Sequence, residues 1–263
     1  MGAEVRLEFD GALATLTLSH PGKLNAMSVP MWRSLRTAAG QLAACADLRA
    51  VIVRGEAGQF CAGGDIAEYP GFRFHREGLR AFHEEVVWPA LEALLRCDVP
   101  LIAQIEGACM GAGLEIASCC DLRVAGQGAR FGAPIARLGF SMAPREAALV
   151  ARAVGKVTAR EMLLEAAVLD APEMHRRGFL HQCVPDADVA AEALGRARRV
   201  AALAPAAARR TKTLFSALFP LDPSANRSDD AIEKIVNTAY DYADCAEHRE
   251  GIEAFLAKRR PRF

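Results

Sequence analysis

The sequence predicts an α/β protein whose first half alternates strands with helices and whose last third is helical. Three observations predict it. The N-terminus alternates apolar and polar residues with period two, short apolar runs then recur between helix-length amphipathic stretches, and strand-like runs fade beyond residue 143. Residues 5–9 and 13–18 (Val-Arg-Leu-Glu-Phe and Leu-Ala-Thr-Leu-Thr-Leu) flank Asp10-Gly11 and read as a hairpin of half-buried strands. Residues 29–45 carry Met31, Leu35, Ala38 and Leu42 at helical spacing, and Ala50-Val-Ile-Val-Arg54 is an apolar run expected to be covered on both faces. The pattern repeats as helix 75–96, strand 101–105, a glycine-rich turn, helix 112–120 and strand 122–125. Helices are then expected over 143–154, 158–166, 188–204, 206–218, 228–242 and 246–258, punctuated by Pro172, Pro185, Pro205, Pro220 and Pro223. The Ala-rich late helices carry many apolar positions for their length, which suggests burial against something besides their own domain, another subunit being one candidate.

Composition narrows the function classes. The chain has 263 residues with 32 Lys+Arg against 32 Asp+Glu, so it lacks the cationic surplus that binding a phosphate backbone requires, and nucleic acid is not expected as a partner. At 52% hydrophobic and 24% charged it has enough apolar material for a sizeable core, and no run reaches the roughly 18–20 apolar residues of a membrane span. The first nine residues carry acids where a targeting peptide would not, so a cytoplasmic protein away from membranes is expected. Eight cysteines lack a Cys-x-x-Cys pair and six histidines lack His-Glu-x-x-His, so buried free thiols and no metal are expected.

Two glycine-bearing turns, each after an expected strand, are the candidate ligand sites: Gly58-Gln-Phe-Cys-Ala-Gly-Gly-Asp-Ile66 and Glu106-Gly-Ala-Cys-Met-Gly-Ala-Gly-Leu-Glu-Ile116. Small residues at the carboxyl end of a sheet let a ligand reach backbone N–H groups, and a helix starting near Ala112 aims free N–H groups and its positive dipole end outward. Tight turns and close packing alone would explain the same glycines. Familiar motifs fail: Gly111-Ala-Gly113 lacks the third glycine of a dinucleotide fingerprint, and neither Gly155-Lys-Val157 nor Gly139-Phe-Ser-Met-Ala143 completes a P-loop or nucleophile elbow. Glu115 shares a helical face with Ala112. Amid Ala, Leu and Cys its carboxylate is desolvated, which should raise its pKa toward neutrality; a salt-bridged core acid is the alternative.

Those two turns, with Lys23-Leu-Asn-Ala26, Arg130-Phe-Gly-Ala-Pro134 and Glu250-Gly-Ile-Glu-Ala-Phe-Leu-Ala-Lys-Arg-Arg-Pro261, resemble the crotonase superfamily of enoyl-CoA hydratases and isomerases, in the same order along the chain. The resemblance implies a ββα spiral core over residues 1–200 with two near-perpendicular sheets, and a helical C-terminal trimerisation region over 201–263, assembling as a homo-trimer or hexamer. It implies a coenzyme A thioester as substrate and no permanently bound cofactor. It assigns the oxyanion hole to the N–H groups of Gly64 and Ala112 and the acid–base role to Glu115. CoA would run past Lys23 and Ala26, with adenine near Ala62 and Ile66, and Phe255 and Lys258 would contact CoA from a neighbouring subunit. Lys258 equally fits a solvated basic run ending the chain.

The sequence departs from the hydratases at one position that matters. Their second catalytic glutamate follows the proline of a Phe-Gly-x-Pro-Glu segment, and here that segment reads Phe131-Gly-Ala-Pro-Ile135. Ile135 carries no proton, and a positioned acid–base group is typically worth about 10²- to 10⁴-fold. Weak crotonyl-CoA hydration at best is therefore expected, and an acyl-CoA-dependent lyase or isomerase with one glutamate is the leading reading. Decarboxylation or thioester hydrolysis on the same scaffold, or acyl-CoA binding with little hydratase activity, are the rivals. Glu146 and Arg145 are possible auxiliary residues, although their place after Pro144 favours an ordinary exposed helix start. His75, His83, Glu68 and Tyr69 lie near the first turn and are candidates to line the acyl pocket, with solvated helix positions as the default.

Overall fold

A computed structural model describes residues 2–220, 233 and 236–263. The chain opens with strands β1 (Glu4–Asp10) and β2 (Leu13–Ser19), an antiparallel hairpin pairing Leu7 with Leu16 and turning through Gly11 at φ +58°. Helix α1 (Val29–Ala44) is capped by the Ser28 hydroxyl, which accepts from Met31 N–H at 3.4 Å, and buries Met31, Trp32, Leu35, Ala38, Ala39 and Leu42 on one face. Strand β3 (Ala50–Gly55) follows, then a 3₁₀ turn at Ile66–Gly71. The expected helix 75–96 is three pieces: α2 (Arg76–Ala81), a π-helical turn at Phe82–Val87, and α3 (Trp88–Arg96).

Strand β4 (Leu101–Ile105) leads into β5 (Ala108–Met110), α4 (Ala112–Cys119), β6 (Leu122–Gly126) and β7 (Arg130–Gly132). Next come α5 (Pro144–Val154), α6 (Lys156–Leu164), β8 (Val168–Asp170), α7 (Ala171–Arg176), β9 (Gln182–Val184) and α8 (Val189–Ala201). The C-terminal region contributes α9 (Pro205–Leu218) and α10 (Ala246–Leu256); most of the helix expected over 228–242 lies outside the described residues.

One sheet of six strands has the order β1-β2-β3-β4-β6-β9, parallel except for the opening hairpin, and a second of three has the order β5-β7-β8. The expected run at 50–54 is indeed covered on both faces. Val51 and Val53 join the main core with Trp32, Phe60, Leu91 and Phe131, whereas Ala50 and Ile52 pack with Ile102 against Ala193 and Ala197 of α8. Each such fully buried aliphatic or aromatic side chain contributes about 1.5–3 kcal/mol. The short strands β5, β8 and β9 correct the sequence reading, which places a turn at 106–111 and mainly helices beyond 143, and β7 forms where that reading names no element. Each is three residues long, too short to show a period, and exists because a distant partner pairs with it.

The C-terminal helices attach mainly through cations. Arg209 binds the Asp98 carboxylate and donates to the carbonyls of Cys45 (2.9 Å) and Leu48 (2.8 Å), and Lys212 reaches Val99 O (2.9 Å) and Asp121 (2.8 Å). No apolar residue of α9 is buried and only Ala254 of α10 is, while Leu214, Phe215, Leu218, Ile252 and Phe255 are exposed. Among the described residues no helix is long and apolar enough to cross a membrane.

Candidate active site

The first turn is stitched down by Asn25. Its carboxamide donates to Glu56 O (2.9 Å) and Gln59 O (2.6 Å) and accepts from His20 N–H (3.0 Å), so the Lys23–Ala26 loop lies against residues 56–62, with Ala62 N–H donating to Leu24 O at 3.0 Å. Met27 N–H donates to Gly63 O (2.8 Å) and Asp65 N–H to Met27 O (2.9 Å), a pairing that skips the N–H of Gly64. The second turn is held beside it by Cys61 N–H to Ala108 O (2.8 Å) and Met110 N–H to Cys61 O (2.9 Å). The approach demands glycine at Gly113, and at Gly64 the Tyr69 side chain fills the space a Cβ would take. A Cβ on Gly113 would fall 2.5 Å from Cys61 O, and one on Gly64 would fall 2.3 Å from the Tyr69 hydroxyl.

Ala112 begins α4, so its N–H has no intrahelical acceptor. Among the described residues neither it nor Gly64 N–H donates to a protein group. Both residues line one cavity of about 190 Å³, and the two turns run close enough that a Cβ placed on Gly111 would fall 3.7 Å from Gly63 Cα.

Glu115 lines the same cavity one turn into α4, its N–H bonded to Gly111 O at 3.0 Å. It is only 9% exposed, and among the described residues its carboxylate has neither hydrogen-bond nor ion-pair partner. Burial, reinforced by the negative charge of Glu146 and opposed by Arg73, pushes its carboxyl pKa up to about 8. At neutral pH this group is mainly a neutral acid and can both release and retrieve a proton.

The remaining wall joins distant segments. Ile135, on the 3₁₀ turn Pro134–Leu138, lines the cavity together with Trp32, Phe82 and Met142 and makes it apolar. Arg73 lies between two rings, its guanidinium carbon 3.7 Å from the Phe140 centroid and 4.4 Å from that of Tyr69. Its Nε is buried without an acceptor, and it forms no ion pair among the described residues. Burial raises the pKa of the Tyr69 hydroxyl, and the nearby Arg73 cation opposes the rise. His83 lines the cavity and its Nδ1 lies 2.9 Å from Glu146 Oε1.

The exposed helix start expected at Glu146 is therefore wrong: its side chain is 3% exposed, because α5 packs on α4 and turns this residue inward against His83. Tyr69 and His83 also leave the solvated default, whereas His75 keeps it and Glu68 instead accepts from Val29 N–H at 2.7 Å. Arg145, the other auxiliary candidate, turns outward to Glu84 (3.4 Å) and over the Trp88 ring (5.5 Å). Arg73 is a site residue that sequence reasoning misses, since nothing local marks it.

Of the expected CoA contacts, Ala62 and Ile66 line the cavity. Ala26 is buried under the Lys23 loop, and the Lys23 ammonium lies 2.6 Å from Asp65 Oδ2. That partner helps to hold the Asp65 carboxyl below its usual range against the effect of burial. Phe255 and Lys258 line no part of the cavity; Phe255 is 82% exposed on α10.

A family model described as enoyl-CoA hydratase/isomerase matches residues 8–263. A probable enoyl-CoA hydratase of Mycobacterium tuberculosis is 30% identical over 259 residues, covering 98% of this chain and 97% of that protein. A mitochondrial enoyl-CoA hydratase domain-containing protein 3 of Rattus norvegicus is 30% identical over 252 residues, covering 95% and 80%. Among solved structures, an enoyl-CoA hydratase/carnithine racemase from Magnetospirillum magneticum superposes with a TM-score of 0.91 at 36% identity, covering 98% of this chain and 94% of that one. Human enoyl coenzyme A hydratase domain-containing protein 3 superposes with a TM-score of 0.85 at 27% identity, covering 98% and 99%. With two paired glycine turns, a buried acid in the cavity they line and matches spanning nearly the whole chain, this protein belongs to the enoyl-CoA hydratase/isomerase family of the crotonase superfamily.

Proposed function

We propose that the protein is an acyl-CoA-dependent lyase or isomerase in which the N–H groups of Gly64 and Ala112 hold the thioester oxygen and Glu115 moves the proton at Cα. Negative charge grows on that oxygen as the enolate forms, so donors fixed there beforehand bind the transition state more tightly than the neutral thioester. Loss of one such donor typically costs about 10²- to 10³-fold in rate. The observation that carries the reading is Glu115: a buried carboxyl without a protein partner, raised to about 8, in the same cavity as two unengaged amides. It is the one carboxylate lining that cavity among the described residues. Coenzyme A enters as part of the substrate, and Lys23, Ala26, Ala62 and Ile66 mark its path. The test is Glu115→Gln: acyl-CoA binding by calorimetry persists while turnover and deuterium exchange at Cα fall at least about 100-fold. Retention of most of the activity would remove Glu115 from its role.

Arg73 supports a second reading. A guanidinium with no ion-pair partner in an apolar pocket suits an acyl group bearing a carboxylate, as in decarboxylation of a malonyl-type thioester. Faster turnover of malonyl-type than of enoyl thioesters would favour it.

The exposed apolar residues of α9 and α10 support the region 201–263 as a subunit-contact layer over a core of residues 1–200, in a trimer or hexamer. Phe255 and Lys258 would then contact CoA held by a neighbouring subunit.

A further inference from the structure

We infer that His83, held by the buried carboxylate of Glu146, is a second acid–base group that does the work Ile135 cannot, activating water for addition to an enoyl thioester. The inference rests on the acyl-CoA reading above and goes beyond its single glutamate. The π-helical turn at Phe82–Val87 is the local device. Its wider winding gathers Phe82, His83 and Val87 onto one face, and all three line the cavity. Glu146 comes from the first turn of α5 and is 2% exposed; its Oε1 lies 2.9 Å from His83 Nδ1. A carboxylate accepts, so Nδ1 carries the hydrogen, and in the neutral ring Nε2 then presents its lone pair, with no protein partner among the described residues. The contact also fixes the ring's orientation and stabilises the imidazolium that forms. His83 and Glu115 line the same cavity, and Glu146, behind His83, lies near enough to Glu115 for its charge to raise that carboxyl's pKa.

The protons balance. Water oxygen bonds to Cβ as one O–H bond breaks and its proton passes to His83 Nε2. The Cα–Cβ π electrons shift onto the thioester oxygen, held by the Gly64 and Ala112 amides. The enolate then returns its electron pair to Cα, which takes the proton of the Glu115 carboxylic acid. His83 is left protonated and Glu115 ionised, and transfer of one proton from the first to the second, through solvent, restores the starting state. With its carboxyl raised to about 8, Glu115 holds at neutral pH the proton this sequence requires.

Two reactions separate the roles: hydration of crotonyl-CoA, which needs both groups, and deuterium exchange at Cα of butyryl-CoA, which needs Glu115 and the amides. His83→Gln is expected to lower hydration at least about 100-fold while exchange falls less than about fivefold, and added imidazole restores part of the hydration lost in His83→Ala. Glu146 acts through His83 as a positioning residue, so Glu146→Gln should lower kcat for hydration about tenfold or more with KM within about twofold. Hydration kept within threefold in His83→Gln, or hydration and exchange falling together, overturns the inference. Exchange without hydration in the unaltered protein overturns the dyad alone. Absence of both overturns the acyl-CoA reading and the dyad with it.

Discussion

The Arg73 guanidinium carbon lies 3.7 Å above the Phe140 ring, and that placement sets a cation where it draws on the Glu115 carboxyl from across the cavity. Stacking between Phe140 and Tyr69 holds the charge in place of a salt bridge, at about 0.5–2 kcal/mol for such contacts. Glu115 thus titrates between opposing influences: burial and Glu146 raise its pKa, and Arg73 lowers it.

Abstraction of a Cα proton needs the ionised form of Glu115, so the exchange rate should rise through a pH of about 8. Arg73→Met removes the favourable cation and moves that midpoint upward. Glu146→Gln removes the like charge and moves it downward. A pH profile of deuterium exchange into butyryl-CoA measures both, and shifts of the same sign in the two variants would contradict this electrostatic account.

Gly113 sets how closely α4 approaches the first turn. A Cβ there would meet Cys61 O at 2.5 Å, a backbone atom that cannot swing aside, so Gly113→Ala must push the helix start away from residues 61–64. The expected cost is about 1–3 kcal/mol of stability. A larger effect should fall on catalysis, because the Gly64 and Ala112 amides would no longer share one target, and a fall of about 10²-fold in kcat is expected. Thermal unfolding and steady-state rates of the variant check it; unchanged kcat would show that this spacing does not matter.

Legibility in the sequence follows locality. The opening hairpin and α1 are readable because each carries its own period, and β3 as a short apolar run; Gly64 and Ala112 are singled out by the resemblance to the crotonase superfamily, and Glu115 as an acid in an apolar helix. The His83–Glu146 contact is not readable: the partners stand 63 positions apart, and each alone looks like an ordinary charged or polar helix residue. Arg73 is hidden for the same reason, since Tyr69 is near in sequence but Phe140 is not. Ile135 is legible as a loss of chemistry. What takes up the space, an apolar wall with an imidazole and a guanidinium set into it, depends on how α5 and the 66–87 segment fold over the cavity.

The exposed side chains of α9 and α10 predict self-association. Among the described residues Phe215 stacks only on Phe219 (centroids 5.8 Å apart), and both rings are more than half exposed. Replacing both with aspartate should convert an oligomer to smaller species in sedimentation, with far-ultraviolet circular dichroism unchanged because no α9 side chain belongs to the core. A parent chain that sediments as a monomer would refute the subunit-contact role.

The protonation of Glu115 also links stability to pH. Its carboxyl titrates at about 8 in the folded chain against an ordinary 4.5, so the folded chain holds this proton more tightly than the unfolded one. The contribution to stability is full below pH 4.5 and is lost as pH rises through the interval to about 8, beyond which the fold carries a buried charge. Each pH unit separating the folded and unfolded values is worth about 1.4 kcal/mol, so the full difference is on the order of a few kcal/mol. Glu115→Gln keeps the shape and cannot ionise, so its Tm advantage over the parent should grow between pH 5 and pH 9 while activity is lost, the usual exchange of stability for function at a strained site. A Tm difference that stays constant across that range would mean the Glu115 carboxyl ionises in the folded protein as readily as in water.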